Sequence, residues 1–418
     1  MSYRARVVIV GAGQAGLAVS HELTTLGLDH TVLERGKVAN TWRGRWDTFC
    51  LVTPNWTVQL PEGRYDGGDP DGYMPRDEVV AHLERYARSF SAPVREGVEV
   101  RSLVLASDGF ILGTSEGELR ARTVVLTTGA YQKPHRPKGA EGFSGHGQVI
   151  DAEHYRNPDG LARGSVLIVG SGQTGCQLAE ELHEAGREVF LACGRAPWVP
   201  RRVGGRDIAY WIKETGFFDQ LRTALPTPEA RLIANQQATG HGGGHDLHYR
   251  TLRAKGVSLL GRLQSVGGGQ ARFASDLRES VAFGDARYAQ LRKMVQETCA
   301  RKGITPPDMS DPEPFDASAP DSLPLDRFGA VIFTSGYRPD FASWVRIPGV
   351  FDEMGFPVEQ DGASLAAPGL FFCGVHFMRK RKSALLIGVG EDASIVARAI
   401  AARAQSSGRT TRPAGTFG

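Results

Sequence analysis

Cysteine is scarce and scattered. The five cysteines (Cys50, Cys176, Cys193, Cys299, Cys373) form no CxxC or CxxxxC pair. That excludes a redox-active dithiol motif and a disulfide-stapled scaffold, and it fits a reducing cytoplasm. Charge of one sign is also not in excess. A formal net charge of +3 over 418 residues gives no broad basic face for nucleic acid. No apolar run reaches the roughly 18 residues of a membrane span. The first strand starts within a few residues of Met1, which leaves no room for a signal peptide. No Ser-His-Asp set stands out. His241, His245, Asp246 and His248 come closest to a metal cluster, but the glycines around them read as a mobile loop. What remains is ordinary globular composition, 41% hydrophobic and 23% charged. The chain is too long for one simple core, so at least two domains are expected.

The most informative stretch is the first. Arg6–Val10 is an apolar run suited to a strand buried on both faces of a parallel sheet. It leads into Gly11-Ala12-Gly13-Gln14-Ala15-Gly16, then an amphipathic helix stopped at Gly27, then a strand (His30–Leu33) ending on Glu34. Gly11 permits the tight turn and Gly13 lets the backbone approach a pyrophosphate. Gly16 lets helix and strand pack closely, and the helix N-terminus offers N–H groups to phosphate. Glu34, with Arg35 beside it, stands where a carboxylate accepts hydrogen bonds from a ribose diol.

The stretch has an echo. Val166–Val169 leads into Gly170-Ser171-Gly172-Gln173-Thr174-Gly175, a helix stopped at Gly186, and the strand Glu188–Leu191. The two units align without a gap at an offset of 159 residues. Two dinucleotide sites are expected. At the position of Glu34 the second unit has Cys193, with Arg195 two residues on, then Arg201 and Arg202. An acid repels a 2′-phosphate, whereas a guanidinium pairs with one. The first site therefore suits an adenine dinucleotide without a 2′-phosphate. The second suits NADPH, unless Arg195 is simply a solvated surface arginine.

Two later strands end in turns that allow close approach to a ligand: Thr128-Gly129-Ala130 and Ser335-Gly336-Tyr337. Another ends in Cys373-Gly374. A basic run, Arg379–Lys382, reads as a solvated loop or an anion-attracting lid. The last helix is expected from about Glu391 to Arg403, with a disordered tail over 404–418.

Together these residues resemble the class B, single-component flavin-dependent monooxygenases, and among them bacterial proteins similar to the plant YUCCA-type enzymes. The matching pieces are the two fingerprints, Trp42-x-x-Arg45-x-x-Asp47 ending in Leu60-Pro61, Thr128–Tyr131, and Ser335–Asp340. The family's FxGxxxHxxxY/F/W stretch is altered here. Phe143, Gly145 and Tyr155 keep it, two residues are inserted, and Asp151 stands in place of the histidine.

The resemblance implies an α/β fold of two Rossmann-type domains. The FAD domain is discontinuous (1–160 and 335–403), and an NADPH domain (161–334) is inserted in it, with a helical or irregular insertion at about 204–324. It implies FAD and NADPH as cofactors. It also implies a C4a-(hydro)peroxyflavin and transfer of one oxygen atom from O₂ to a small substrate, with nitrogen or sulfur favoured. That explains the missing triad and metal set. Trp42, Arg43 and Trp46, with Trp56, are expected along the flavin. The last helix, starting near Gly390, would point its dipole at the ring. Asn55 is the one candidate catalytic side chain, the alternative being a turn asparagine. The resemblance also implies a homodimer as a common assembly. Two alternatives stay open: a flavin-dependent NADPH oxidase or reductase without oxygen insertion, and a non-catalytic NADPH-binding redox sensor.

Overall fold

Two sheets, the first mixed with a parallel centre and the second wholly parallel, are each wound from their own strand–glycine turn–helix unit in the computed structural model, which describes residues 3–316 and 318–409. The first sheet has nine strands. Its path runs Glu359–Gln360, Ala363–Ser364, Leu370–Phe372, Gly117–Leu126, Tyr3–Val10, Thr31–Glu34, Val94–Glu96. An antiparallel hairpin, Val100–Ala106 and Gly109–Thr114, joins it at Gly117–Leu126. Val7 to Val10 are all buried, as a central parallel strand covered on both faces requires. One face packs on the fingerprint helix Gln14–Thr25, the helix Arg76–Ser89 and the last helix Val389–Arg409. The other face packs on the hairpin and on Phe341, Val345 and Phe356.

The second sheet is wholly parallel, in the order Gln148–Asp151, Phe328–Phe333, Ser165–Val169, Val189–Ala192, Ser258–Leu260. The helix Gln173–Glu184 covers one face. A three-stranded antiparallel sheet (Leu263–Gly267, Gln270–Phe273, Ser322–Pro324) covers the other.

Three expectations shift. The second sheet already takes in Gln148–Asp151, ahead of the expected boundary at 161. The stretch 204–324 is not one helical or irregular insertion, because it supplies Ser258–Leu260 and the covering sheet. Its separate part is Ile208–Glu214 with the 26-residue helix Leu277–Lys302, built on Trp198, Trp211, Leu291 and Val295. The last helix continues to Arg409 through good helix formers (Ala401, Ala402, Arg403, Ala404), so 404–409 is not a disordered tail. Residues 410–418 lie outside the described ones. Among the described residues no helix is long and apolar enough to cross a membrane.

Candidate cofactor and active site

The two fingerprints close by the same device. After its strand, Thr127 folds its hydroxyl back onto the carbonyl oxygens of Val10 (2.8 Å) and Gly11 (3.0 Å). Thr334 does the same to Val169 (3.2 Å) and Gly170 (2.6 Å). Each first glycine is left-handed, with φ of +107° at Gly11 and +109° at Gly170. The third glycines pack as expected: a Cβ on Gly16 would sit 1.9 Å from the Gly11 carbonyl oxygen, and one on Gly175 2.0 Å from that of Gly170. At Gly13, Gly129 and Gly336 an added Cβ meets nothing within 4 Å. Those three glycines line a single cavity of about 2300 Å³ running between the domains.

The cavity gathers most of the expected residues. From the first unit it takes Gly11, Gly13, Gln14, Ala15, Glu34, Arg35 and Trp42, with Thr128, Gly129, Ala130 and Gly374. From the second it takes Gly170, Gly172, Gln173, Thr174 and Arg195, with Ser335, Gly336 and Tyr337. Gly16 and Gly175 stand behind the wall. Glu34 is buried, and its carboxylate accepts from the backbone N–H of Ala12 (2.8 Å) and of Gly36 (2.9 Å). It therefore stiffens the turn itself. In the second unit the roles reverse: Ser171 Oγ accepts from Gly194 N–H at 2.8 Å. Trp42 Nε1 donates to Gln14 Oε1 at 3.0 Å, which fixes the indole on the cavity wall.

Four expected site residues lie elsewhere. Asn55 is a correction, since both ends of its amide are used within its own loop: Nδ2 donates to the Asp69 carbonyl at 2.9 Å, and Oδ1 accepts from Met74 N–H at 2.7 Å. Trp46 is buried edge-on to Phe49 in the core of the second domain, not along a flavin. Arg43 turns away to Glu84 and the Val38 carbonyl. Gly390 packs on Pro61, one residue inside a helix that begins at Val389. Trp56 likewise lies off the cavity, under the Lys213 ammonium.

Sequence reasoning passed over Arg45 and His376 as cavity residues, and the structure gives Arg201, Asp151 and the Gly-rich loop partners the sequence does not show. Arg45 lines the cavity with its buried Nε unpaired, an orphan donor on the wall between the fingerprints. Arg201 is no phosphate arginine. It is buried against Asp207 at 2.6 Å and donates to the Val52 carbonyl of the other domain at 2.8 Å. His376 also lines the cavity, stacked on Tyr131, and burial pushes its pKa down to about 4. Asp151 takes both prongs of Arg136 at 2.9 Å, an ion pair a histidine would not make. His245 pairs with Glu180 and Asp246 accepts from Arg201 N–H, so the Gly-rich loop is tied down by ordinary contacts. No group of three or more metal-ligating side chains comes together among the described residues.

The residues fit two dinucleotides: two left-handed turns open to one cavity, unpaired donors on Arg45 and Arg195, and glycines where a Cβ would fill the cradle. The sequence matches the pyridine nucleotide-disulphide oxidoreductase family over residues 8–231. It is 30% identical to an uncharacterized oxidoreductase CzcO-like of Geobacillus kaustophilus, over 94% of this chain and 97% of that one. It is 27% identical to the indole-3-pyruvate monooxygenase YUCCA4 of Oryza sativa subsp. japonica, over 96% and 88%. Its fold is similar to that of a flavin-containing monooxygenase from Stenotrophomonas maltophilia, with a TM-score of 0.66, 19% identity and coverage of 96% and 99%. The chain belongs to the pyridine nucleotide-disulphide oxidoreductase family and is homologous to the flavin-dependent monooxygenases. It is thus an FAD- and NAD(P)H-dependent oxidoreductase. The dithiol of the family's name has no counterpart here, because all five cysteines are free and buried.

Proposed function

We propose that the protein uses NADPH and O₂ to place one oxygen atom on a nitrogen or sulfur of a small organic substrate. The other oxygen leaves as water and NADPH as NADP⁺. The observation that carries this reading is the pair of open fingerprint turns facing one cavity that also has an apolar arm and no accessible thiol. FAD, when bound, supplies the hydride-accepting and O₂-activating chemistry. The chain's work is placement and exclusion of water. Glu34 and Thr127 hold the first turn, Thr334 and Ser171 hold the second, and Trp42 closes the wall near Gln14.

The test is the purified protein with NADPH and ¹⁸O₂. Bound flavin absorbing near about 450 nm, bleached by NADPH, is expected first. A nitrogen- or sulfur-containing substrate should then gain one ¹⁸O per NADPH. NADPH consumption that yields only hydrogen peroxide with every such substrate would favour an oxidase instead. A protein without flavin would remove the reading altogether.

A further inference from the structure

The basic run Arg379–Lys382 is almost wholly neutralised. Arg379 donates to Asp392 at 2.6 Å. Lys380 and Lys382 each pair with Asp219 at 2.9 Å and with Glu391. Arg381 differs. Its Nε and Nη2 donate only to the neutral Oε1 of Gln220, at 3.3 and 2.8 Å. Its guanidinium lies over Phe217 at 4.0 Å and over Phe377 at 4.6 Å, and it lines the cavity. No carboxylate pairs with it among the described residues. Burial, and to a lesser extent the nearby charge of Arg287, lowers its pKa to about 10. Arg287 is exposed on the same cavity, and its own hydrogen-bond partner is the neutral Gln290 Oε1 at 2.8 Å.

Phe377 adds an independent observation. Its φ is +53°, a left-handed conformation that bulky side chains rarely adopt. Strain of this kind persists where the surroundings over-determine it, as at ligand clamps. Here it holds a ring under the guanidinium. The same cavity is also lined by the apolar side chains Ile212, Phe218, Leu291, Met294 and Ile387.

Two guanidinium groups on one cavity, each hydrogen-bonded only to a neutral glutamine, mark a place for an anion. The edge of Arg381 not spent on Gln220 is a planar fork, which matches a carboxylate bidentately. Coenzyme phosphates already have the fingerprint turns and Arg195. We propose that Arg381, aided by Arg287, binds the carboxylate of the substrate, and that the substrates are apolar or aromatic acids. This rests on the monooxygenase reading for the fate of the acid, but not for its binding.

The test compares thioanisole with 4-(methylthio)benzoate, which differ by one carboxylate. Each is titrated into flavin-loaded enzyme without NADPH, so that nothing turns over, and binding is read from the flavin spectrum. Wild type should hold the acid about 10- to 100-fold more tightly. Arg381→Gln should bring the two ligands within about threefold. Arg287→Gln changes an exposed side chain, so it spares the fold and should lower the preference partway. Equal wild-type affinities, or a preference that survives both substitutions, would overturn the proposal. So would a variant that keeps the preference but loses affinity for NADP⁺, since the anion would then be the coenzyme's. If the acid binds through Arg381 and yet no sulfoxide forms with NADPH and O₂, the carboxylate site stands and the result counts against the monooxygenase reading for this sulfide.

Discussion

At the scale of single residues, the two fingerprints part at one pair of positions. Glu34 ends the first sheet's second strand as a buried carboxylate, while Cys193 ends the matching strand as a buried thiol that offers a ribose no carboxylate. Arg195 is exposed on the cavity and makes no hydrogen bond or ion pair among the described residues. A charge-assisted, bidentate contact to a 2′-phosphate contributes about 1.5–3 kcal/mol, which corresponds to roughly 10- to 100-fold preference for NADPH over NADH. Arg195→Ala should remove most of that preference by raising the KM for NADPH, with bound FAD unchanged. Steady-state kinetics with both coenzymes decides it: an unchanged ratio would make Arg195 a surface arginine. This contrast was legible because it lies within one local strand–turn–helix unit. Asn55, Arg43 and Trp46 were not legible in the same way. Each has a residue type suited to a flavin wall, but its direction is set by partners far along the chain, such as Asp69, Glu84 and the second-domain core.

At the scale of elements, each fingerprint helix rests on its strand through one glycine. A Cβ on Gly175 would press on the Gly170 carbonyl at 2.0 Å and on Thr334 Oγ1 at 2.8 Å. The first is backbone and cannot turn aside, so the helix must move out. Overpacking of this kind costs about 1–3 kcal/mol. Gly175→Ala should weaken NADPH binding about tenfold or more and leave FAD in place, whereas Gly16→Ala should lose FAD. Titration of each variant with each cofactor separates the two sites, and equal losses in both would show that the turns are not independent. A second element-level effect depends on pH. His248 sits buried at the N-cap of the helix Tyr249–Lys255, and burial pushes its pKa down to about 4, as at His376. Both are neutral in the fold and take up protons on unfolding below their ordinary 6.5. Their contribution is therefore present above pH 6.5 and is lost as the pH falls toward 4. The loss is about 3 kcal/mol apiece at most. Denaturant titrations from pH 7 to 4.5 should show it, and His248→Gln should flatten part of the slope. Neither this short helix nor the burial of its cap was expected from the sequence, because the ring that covers the cap, Trp198, lies tilted over it from fifty residues upstream.

At the scale of the whole molecule, hydride transfer requires the two sheets to present their cofactors to each other at a fixed separation. Besides the packing of Trp46 and Phe49 into the second-domain core, a small set of polar contacts across the cleft fixes it. Arg201 of the second domain donates to the Val52 carbonyl of the first at 2.8 Å while its Nη2 meets Asp207 at 2.6 Å. Tyr73 of the first domain donates its hydroxyl to the other oxygen of Asp207 and lies under the Arg201 guanidinium at 5.0 Å. Nearby, Gly240 approaches so closely that a Cβ there would stand 2.0 Å from the Leu51 carbonyl. Asp207 also caps the helix Ile208–Glu214 through Ala209 N–H at 2.7 Å, so the clasp orients that helix along the cavity as well. The sequence suggested phosphate arginines at 201 and 202 because it shows the charge but not the carboxylate that folds against it. Removing Arg201 leaves Asp207 buried and unpaired, which costs about 3–5 kcal/mol and confounds any kinetic reading. Tyr73→Phe is the cleaner probe: it deletes one hydroxyl from the clasp and leaves the ion pair intact. Misplacing reacting groups by about 1 Å can cost on the order of 100-fold in rate. Tyr73→Phe should therefore slow anaerobic flavin reduction by NADPH by about 10- to 100-fold, with FAD content and the Kd for NADP⁺ nearly unchanged. Rapid-mixing absorbance gives the first quantity and equilibrium titration the other two. A reduction rate equal to wild type would mean that the backbone contacts at Val52 and Gly240 hold the domains without the tyrosine.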